Sequence, residues 1–60
     1  MTYNLYDENG ALIEQVEVYN EQELVNFVSD IAEFDQYVEK LNNYEFRDAF
    51  GSLIVEAREE

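Results

Sequence analysis

The chain has no cysteine, no histidine, no proline and no tryptophan, and it sets only three Lys and Arg against fifteen Asp and Glu. Each absence closes a route. Without Cys or His there is neither a disulfide nor the usual ligand set for a structural zinc ion, and no thiol or imidazole is available for nucleophilic or acid–base chemistry. At 60 residues the chain is too short to wall off a sizeable pocket, so an enzyme is not expected, and neither is a cofactor or a metal. No apolar run approaches the roughly 20 residues of a membrane span, and Met1-Thr2-Tyr3-Asn4 lacks the basic and apolar regions of a signal peptide. The expected location is the cytoplasm, that of a host cell if the chain is phage-encoded.

What is present can still fold. Apolar residues make up 47% of the chain, with five Tyr and four Phe, which is too much for an acidic disordered tail. With no linker and acids in all three thirds, residues 1–60 read as a single domain without an evident internal repeat. A chain of this size buries only about 60% of its unfolded surface, and small domains commonly take support from disulfides, metals or a partner chain. With the first two excluded, a homodimer is the default expectation.

The first element is a hairpin. Asn9-Gly10 is the preferred dipeptide of a two-residue type I′ turn, and pairing Glu8 with Ala11 puts Tyr3, Leu5, Leu12, Val16 and Val18 on one face and Tyr6, Ile13, Glu17 and Tyr19 on the other. Asn20 is a good N-cap, with Glu23 in capping-box position and Glu21 beside it at the positive end of a helix dipole. A helix is expected from Glu21, its apolar stripe running through Leu24, Phe27, Val28, Ile31, Phe34, Val38 and Leu41. Asp35 falls on that stripe as a point of kink or restart, and Asn42-Asn43 reads as the stop. Tyr44–Asp48 and Leu53–Ala57 read as strands around an Ala49-Phe50-Gly51-Ser52 turn, with a helix as the competing reading. The expected fold class is α+β: an N-terminal β-hairpin and one amphipathic helix packed on a small antiparallel sheet completed by the C-terminal strand or strands, ββαβ or ββαββ.

The formal charge of −12 far exceeds the magnitude of about 2 to 8 that keeps a small domain soluble. Anionic membranes and nucleic acids repel such a surface, so no membrane and no direct nucleic-acid binding is expected; the natural partner is a basic DNA-binding protein or enzyme. Duplex DNA carries one charge per roughly 1.7 Å of axis. Carboxylates two apart on a strand, or three to four apart on a helix, fall at roughly 5 to 7 Å, close to a phosphate ladder. Glu21, Glu23, Asp30, Glu33, Asp35 and Glu39 are expected on the helix, and Asp7, Glu8, Glu14 and Glu17 on the hairpin. Phe27, Phe34, Phe46 and Phe50 read as core and Tyr3 as inward-facing. Tyr6, Tyr19, Tyr37 and Tyr44 read either as surface contacts or as the edge of a small core.

Two resemblances point the same way. Tyr19-Asn20-Glu21 with Leu24-Val25 resembles the opening strand-to-helix segment of the ArdA-type antirestriction proteins, and Leu41, Asn43, Tyr44 and Ala49-Phe50-Gly51 resemble a segment near their C-terminal end. That family implies an acidic, generally dimeric DNA mimic occupying the DNA-binding surface of type I restriction-modification enzymes. In length and element order the chain is also similar to the small phage inhibitors of uracil-DNA glycosylase, whose acidic edges imitate DNA around an apolar pocket that takes a protruding enzyme side chain.

The expected function is therefore a phage- or mobile-element-type DNA-mimic inhibitor of a restriction complex, a CRISPR nuclease or a uracil-DNA glycosylase. Glu17, Glu21, Asp30, Glu33 and Glu39 would replace phosphates, with Tyr6, Tyr19 and Tyr37 as aromatic contacts. The competing expectation is a non-enzymatic adaptor that binds through its apolar and Tyr surface while the acids serve solubility.

Overall fold

The computed structural model describes residues 1–60. Five strands and one helix follow in the order β1 (Thr2–Asp7), β2 (Leu12–Glu17), α1 (Glu21–Ile31), β3 (Gln36–Lys40), β4 (Asn43–Arg47) and β5 (Leu53–Glu59). The strands form one antiparallel sheet in the order β2-β1-β5-β4-β3. The α+β class and the N-terminal hairpin are as the sequence implies, with one more strand than expected. No helix is long and apolar enough to cross a membrane.

The helix covers one face of the sheet. Tyr3, Leu5, Val16, Val18, Tyr44, Phe46, Val55 and Ala57 meet Leu24 and Val28 there, with Val25, Phe27, Ala32 and Phe34 packed around them. Cross-strand partners share a face and neighbours along a strand alternate. The other face, which no element covers, therefore carries Asn4, Tyr6, Gln15, Glu17, Lys40, Glu45, Arg47, Glu56 and Arg58.

The helix starts where its caps dictate. The Asn20 side chain accepts the Glu23 amide at 3.0 Å, and the Glu23 carboxylate reaches back to the Tyr19 amide at 2.8 Å. It ends well before the apolar stripe does. Ala32 is already extended (φ −154°, ψ 142°), and residues 36–40, expected as helix, are β3. Continuing the helix would lay the Asp35 charge on the apolar face without a partner. Extended, the chain instead sets Tyr37 opposite Phe46 and stacks their rings with centroids 5.8 Å apart. Glu39 thus belongs to a strand, and Glu33 and Asp35 to the segment leaving the helix. Asn42 stops no helix: it takes φ +59° in the β3–β4 turn, with Leu41 beside it 90% exposed.

The Asn9-Gly10 turn also differs from its expected form. Type I′ needs positive φ at both central residues, whereas only Gly10 has it here (+82°). The loop is three residues long, closed by the Asp7 amide on the Ala11 carbonyl at 2.9 Å and the Gly10 amide on the Asp7 carbonyl at 3.0 Å. This shifts the register by one, and an extra residue, Ile13, restores it: Tyr6 pairs with Leu12 and Leu5 with Glu14. Leu12 therefore shares a face with Tyr6, not with Tyr3 and Leu5, and it is exposed.

The same device recurs 41 positions later. Asp48-Ala49-Phe50-Gly51-Ser52 closes by the equivalent two bonds, Gly51 has φ +84°, and the register slips at the equivalent place, pairing Arg47 with Leu53 and Phe46 with Val55. In each turn one aspartate oxygen accepts two backbone amides, Asn9 and Ala11 on Asp7, Phe50 and Ser52 on Asp48. Tyr3, Asp7, Gly10, Leu12 and Ile13 thus correspond to Tyr44, Asp48, Gly51, Leu53 and Ile54. The chain does contain an internal repeat, a hairpin used twice and placed side by side through β1 and β5.

Candidate functional site

The distribution of charge is uneven in one specific way. All three cations lie on the open sheet face, each held by a neighbouring carboxylate. Lys40 Nζ is 2.8 Å and Arg47 Nη2 3.0 Å from Glu45, and Arg58 pairs with Glu56 while lying 4.5 Å from the centre of the Tyr6 ring. Glu45 is buried between its two partners. The Lys40 bond, helped by the Arg47 charge, holds its carboxyl below the usual carboxylate range against the opposing effect of burial. Glu17 and Glu60 complete the acids of this face, Glu60 accepting the Gln15 side chain at 2.7 Å. Fifteen acids less these four leaves eleven on the helix side and in the two aspartate turns, with no cation among them.

On the helix side the carboxylates form two groups. At the helix N-terminus, Glu21 accepts the Tyr37 hydroxyl at 2.7 Å and the Tyr44 hydroxyl at 3.3 Å. Glu39 lies opposite Tyr44, and Glu59 opposite Tyr3, in the strands below. Tyr3 and Tyr44 meet edge to face at 5.8 Å, and Tyr37 and Phe34 extend the aromatic floor. Burial and the carboxylates together push all three phenols to higher pKa. For Tyr44 and Tyr3 burial is the largest cause, followed by the charges of Glu21 and Glu39 on Tyr44 and mainly Glu59 on Tyr3; for Tyr37 it is the bond to Glu21. The hydroxyls therefore stay protonated as donors across the ordinary pH range.

The second group lies at the other end of the helix. Glu33 and Asp35, with Ser29, Ala32 and Phe34, line a shallow hollow of about 360 Å³, and Asp30 is on the last turn. Glu23 and Asp30 are seven residues apart, about 10 Å along the axis. The solvent side between them carries the uncharged Asn26 and Ser29, and Asn26 accepts the Gln22 side chain at 2.9 Å. The anionic surface is two patches joined by a neutral polar stretch, not an unbroken ladder.

Of the residues singled out from the sequence, Glu21, Glu39 and Tyr37 come together at the first patch and Asp30 and Glu33 at the second. Glu17 and Tyr6 sit on the open face, away from both. Tyr19 is 91% exposed and lines a groove of about 320 Å³ with Met1, Glu17 and Val18. Phe50, expected in the core, is 94% exposed at the tip of the second aspartate turn, whereas Tyr44 is buried. Sequence reasoning missed Glu59, Tyr3 and Tyr44 as parts of the first patch. Strand alternation through Val55, Ala57 and Glu59 held the signal, but it becomes readable only once β5 is known to lie beside β1. No three acids are arranged to hold a metal ion. No family model, curated protein or solved structure matches the chain.

Proposed function

We propose that the chain is a DNA-mimic inhibitor of the phage or mobile-element kind, binding the DNA-binding cleft of a basic host enzyme by occupancy and without catalysis. The observation that supports this is the segregation of charge: eleven carboxylates without a cation on the helix side and the turns, against a nearly balanced open face. A solubility role has no need of such sorting. An unneutralised side repels itself, and a cationic cleft relieves that repulsion and gains a faster encounter by electrostatic steering. Glu39 and Glu21 at one patch, Asp30 and Glu33 at the other, stand in for phosphates in this reading. Tyr37 orients Glu21 from below, and Tyr19 offers a contact ring. The resemblances to antirestriction proteins and glycosylase inhibitors point to restriction complexes, CRISPR nucleases and repair glycosylases as the class of target.

A second reading has its own observation. Tyr19 and Leu41 at one end of the sheet and Phe50 at the other are at least 90% exposed, the kind of apolar anchors an adaptor uses. A pull-down from bacterial lysate at low salt, eluted with duplex DNA, separates the two. Elution by DNA, and loss of capture on Asp30→Lys with Glu33→Lys, are the outcomes of mimicry. Capture that DNA leaves intact and that Leu41→Ser or Phe50→Ser abolishes belongs to the adaptor.

A further inference from the structure

The sheet has two edges, and they are built differently. β2 carries the bulge at Ile13 and the acids Glu14 and Glu17 with no cation, both common ways to keep a strand edge from accepting another. β3 has neither. Its five residues, Gln36-Tyr37-Val38-Glu39-Lys40, pair with β4 in unbroken register from Gln36↔Arg47 to Lys40↔Asn43. Glu39 and Lys40 cancel in charge, and Lys40, the usual edge guard, is drawn across the open face to Glu45. Tyr37 and Val38 are 40% and 46% exposed.

We propose that β3 is a self-association edge, joining two copies of the chain through antiparallel β3–β3 pairing about a two-fold axis at Val38. In that register Val38 faces Val38 of the second copy, Tyr37 faces Glu39 and Gln36 faces Lys40, so no like charges stand opposite each other. On β2 the bulge at Ile13 interrupts the even register that such a pairing needs, and an axis at Glu14 would set that acid against its own copy. Pairing at β3 satisfies roughly four to six backbone groups that otherwise face solvent and yields a ten-stranded sheet. The two-fold axis stands perpendicular to that sheet, so both helices, with their acidic patches, lie on the same side. The edges left over are the bulged, acidic β2 strands, and assembly stops at two.

This inference is independent of the DNA-mimic reading, and salt tells them apart. Each copy carries −12, so self-association strengthens as salt screens the repulsion, whereas binding to a cationic cleft weakens. Sedimentation of the whole chain at up to about 1 mM should show a monomer–dimer equilibrium. Its dissociation constant should fall about tenfold between about 0.05 and 0.5 M NaCl. Val38→Asp, which opposes two carboxylates on the axis, should abolish the dimer, and Ile13→Asp, the same charge at the other edge, should leave it. Amide exchange of the unaltered chain supplies a reading that no variant's folding can obscure: β3 amides should slow as concentration rises while β2 amides do not. A monomer at the highest concentration and salt overturns the proposal. So does a dimer that Val38→Asp leaves intact, or one that protects β2, which would mean that another surface joins the copies.

Discussion

On the open face of the sheet, hairpin β1–β2 presents Asn4, Tyr6, Gln15 and Glu17, while the corresponding positions of hairpin β4–β5 hold Glu45, Arg47, Glu56 and Arg58. The backbones are the same: an aspartate that ties two amides, a glycine at φ +82° or +84°, and one extra residue, Ile13 or Ile54, that restores the register. Turn chemistry thus sets the strand pairing twice, independently of what the strands display. The display then divides the charge. The second hairpin, with β3, gathers every cation into ion pairs with Glu45 and Glu56, and the acids elsewhere are left unneutralised.

The two hairpins place Leu5 and Phe46 at matched core positions, both fully buried, and the largest losses are expected there. Phe46→Ala should cost about 3–5 kcal/mol and Leu5→Ala about 2–5 kcal/mol in urea unfolding, enough to leave so small a domain largely unfolded. Phe50→Ala, at the exposed turn, should change stability by under about 0.5 kcal/mol. A large cost at Phe50 would mean that the aromatics have been assigned to the wrong sides.

Next come the glycines. An added Cβ meets nothing within 4 Å at either Gly10 or Gly51, so the cost of alanine is that of the left-handed backbone alone. That is about 1–2 kcal/mol for each, and the two values should agree within about 0.5 kcal/mol. Clearly unequal losses would show that the turns differ in a way their geometry conceals.

A smaller effect sharpens the contrast between Asn4 and its counterpart Glu45. The folded-state pKa of Glu45 is depressed, so its contribution is present above the ordinary carboxyl range near pH 4.5 and is lost as pH falls through the folded value. Glu45→Gln should cost about 1 kcal/mol near neutral pH, allowing for the solvent exposure of Lys40 and Arg47. The difference from the parent should shrink on acidification, whereas Asn4→Ala should lack that pH dependence. For Tyr44 the sign reverses. Its raised pKa means that the neutral phenol's contribution is present below the ordinary value near 10 and is lost above it. Alkaline titration should destabilise the parent more steeply than Tyr44→Phe. Parallel curves would remove the Tyr44–Glu21 contact from the stabilising interactions.

Local signals in the sequence were strong at the helix start, where Asn20 and Glu23 make a cap from adjacent residues, and at the two hairpin turns, where Gly10 and Gly51 mark the change of direction. They failed where a distant neighbour decided. The 34–41 stripe fits a helix and a strand equally by apolar content, and β4, which offers Phe46 to Tyr37, is what selects the strand. The hairpin repeat was in plain view as Tyr-x-x-x-Asp-x-x-Gly-x-Leu-Ile, but five shared positions with different residues between them do not stand out until the two bulges are superposed. Likewise Glu21, Glu39 and Glu59 are far apart in the chain, and only the helix packing and the β1–β5 pairing gather them around the tyrosines.

The assignment of the anionic side to partner binding is tested most directly by measuring how the chain competes with duplex DNA for a uracil-DNA glycosylase, a type I restriction complex and a CRISPR nuclease across a range of salt. Glu39→Lys on the helix side should be compared with Glu17→Lys on the open face. Competition with at least one of these enzymes that weakens steeply with salt, and that Glu39→Lys impairs far more than Glu17→Lys, is the expected result. Affinity indifferent to salt, or equal losses from the two reversals, would contradict it.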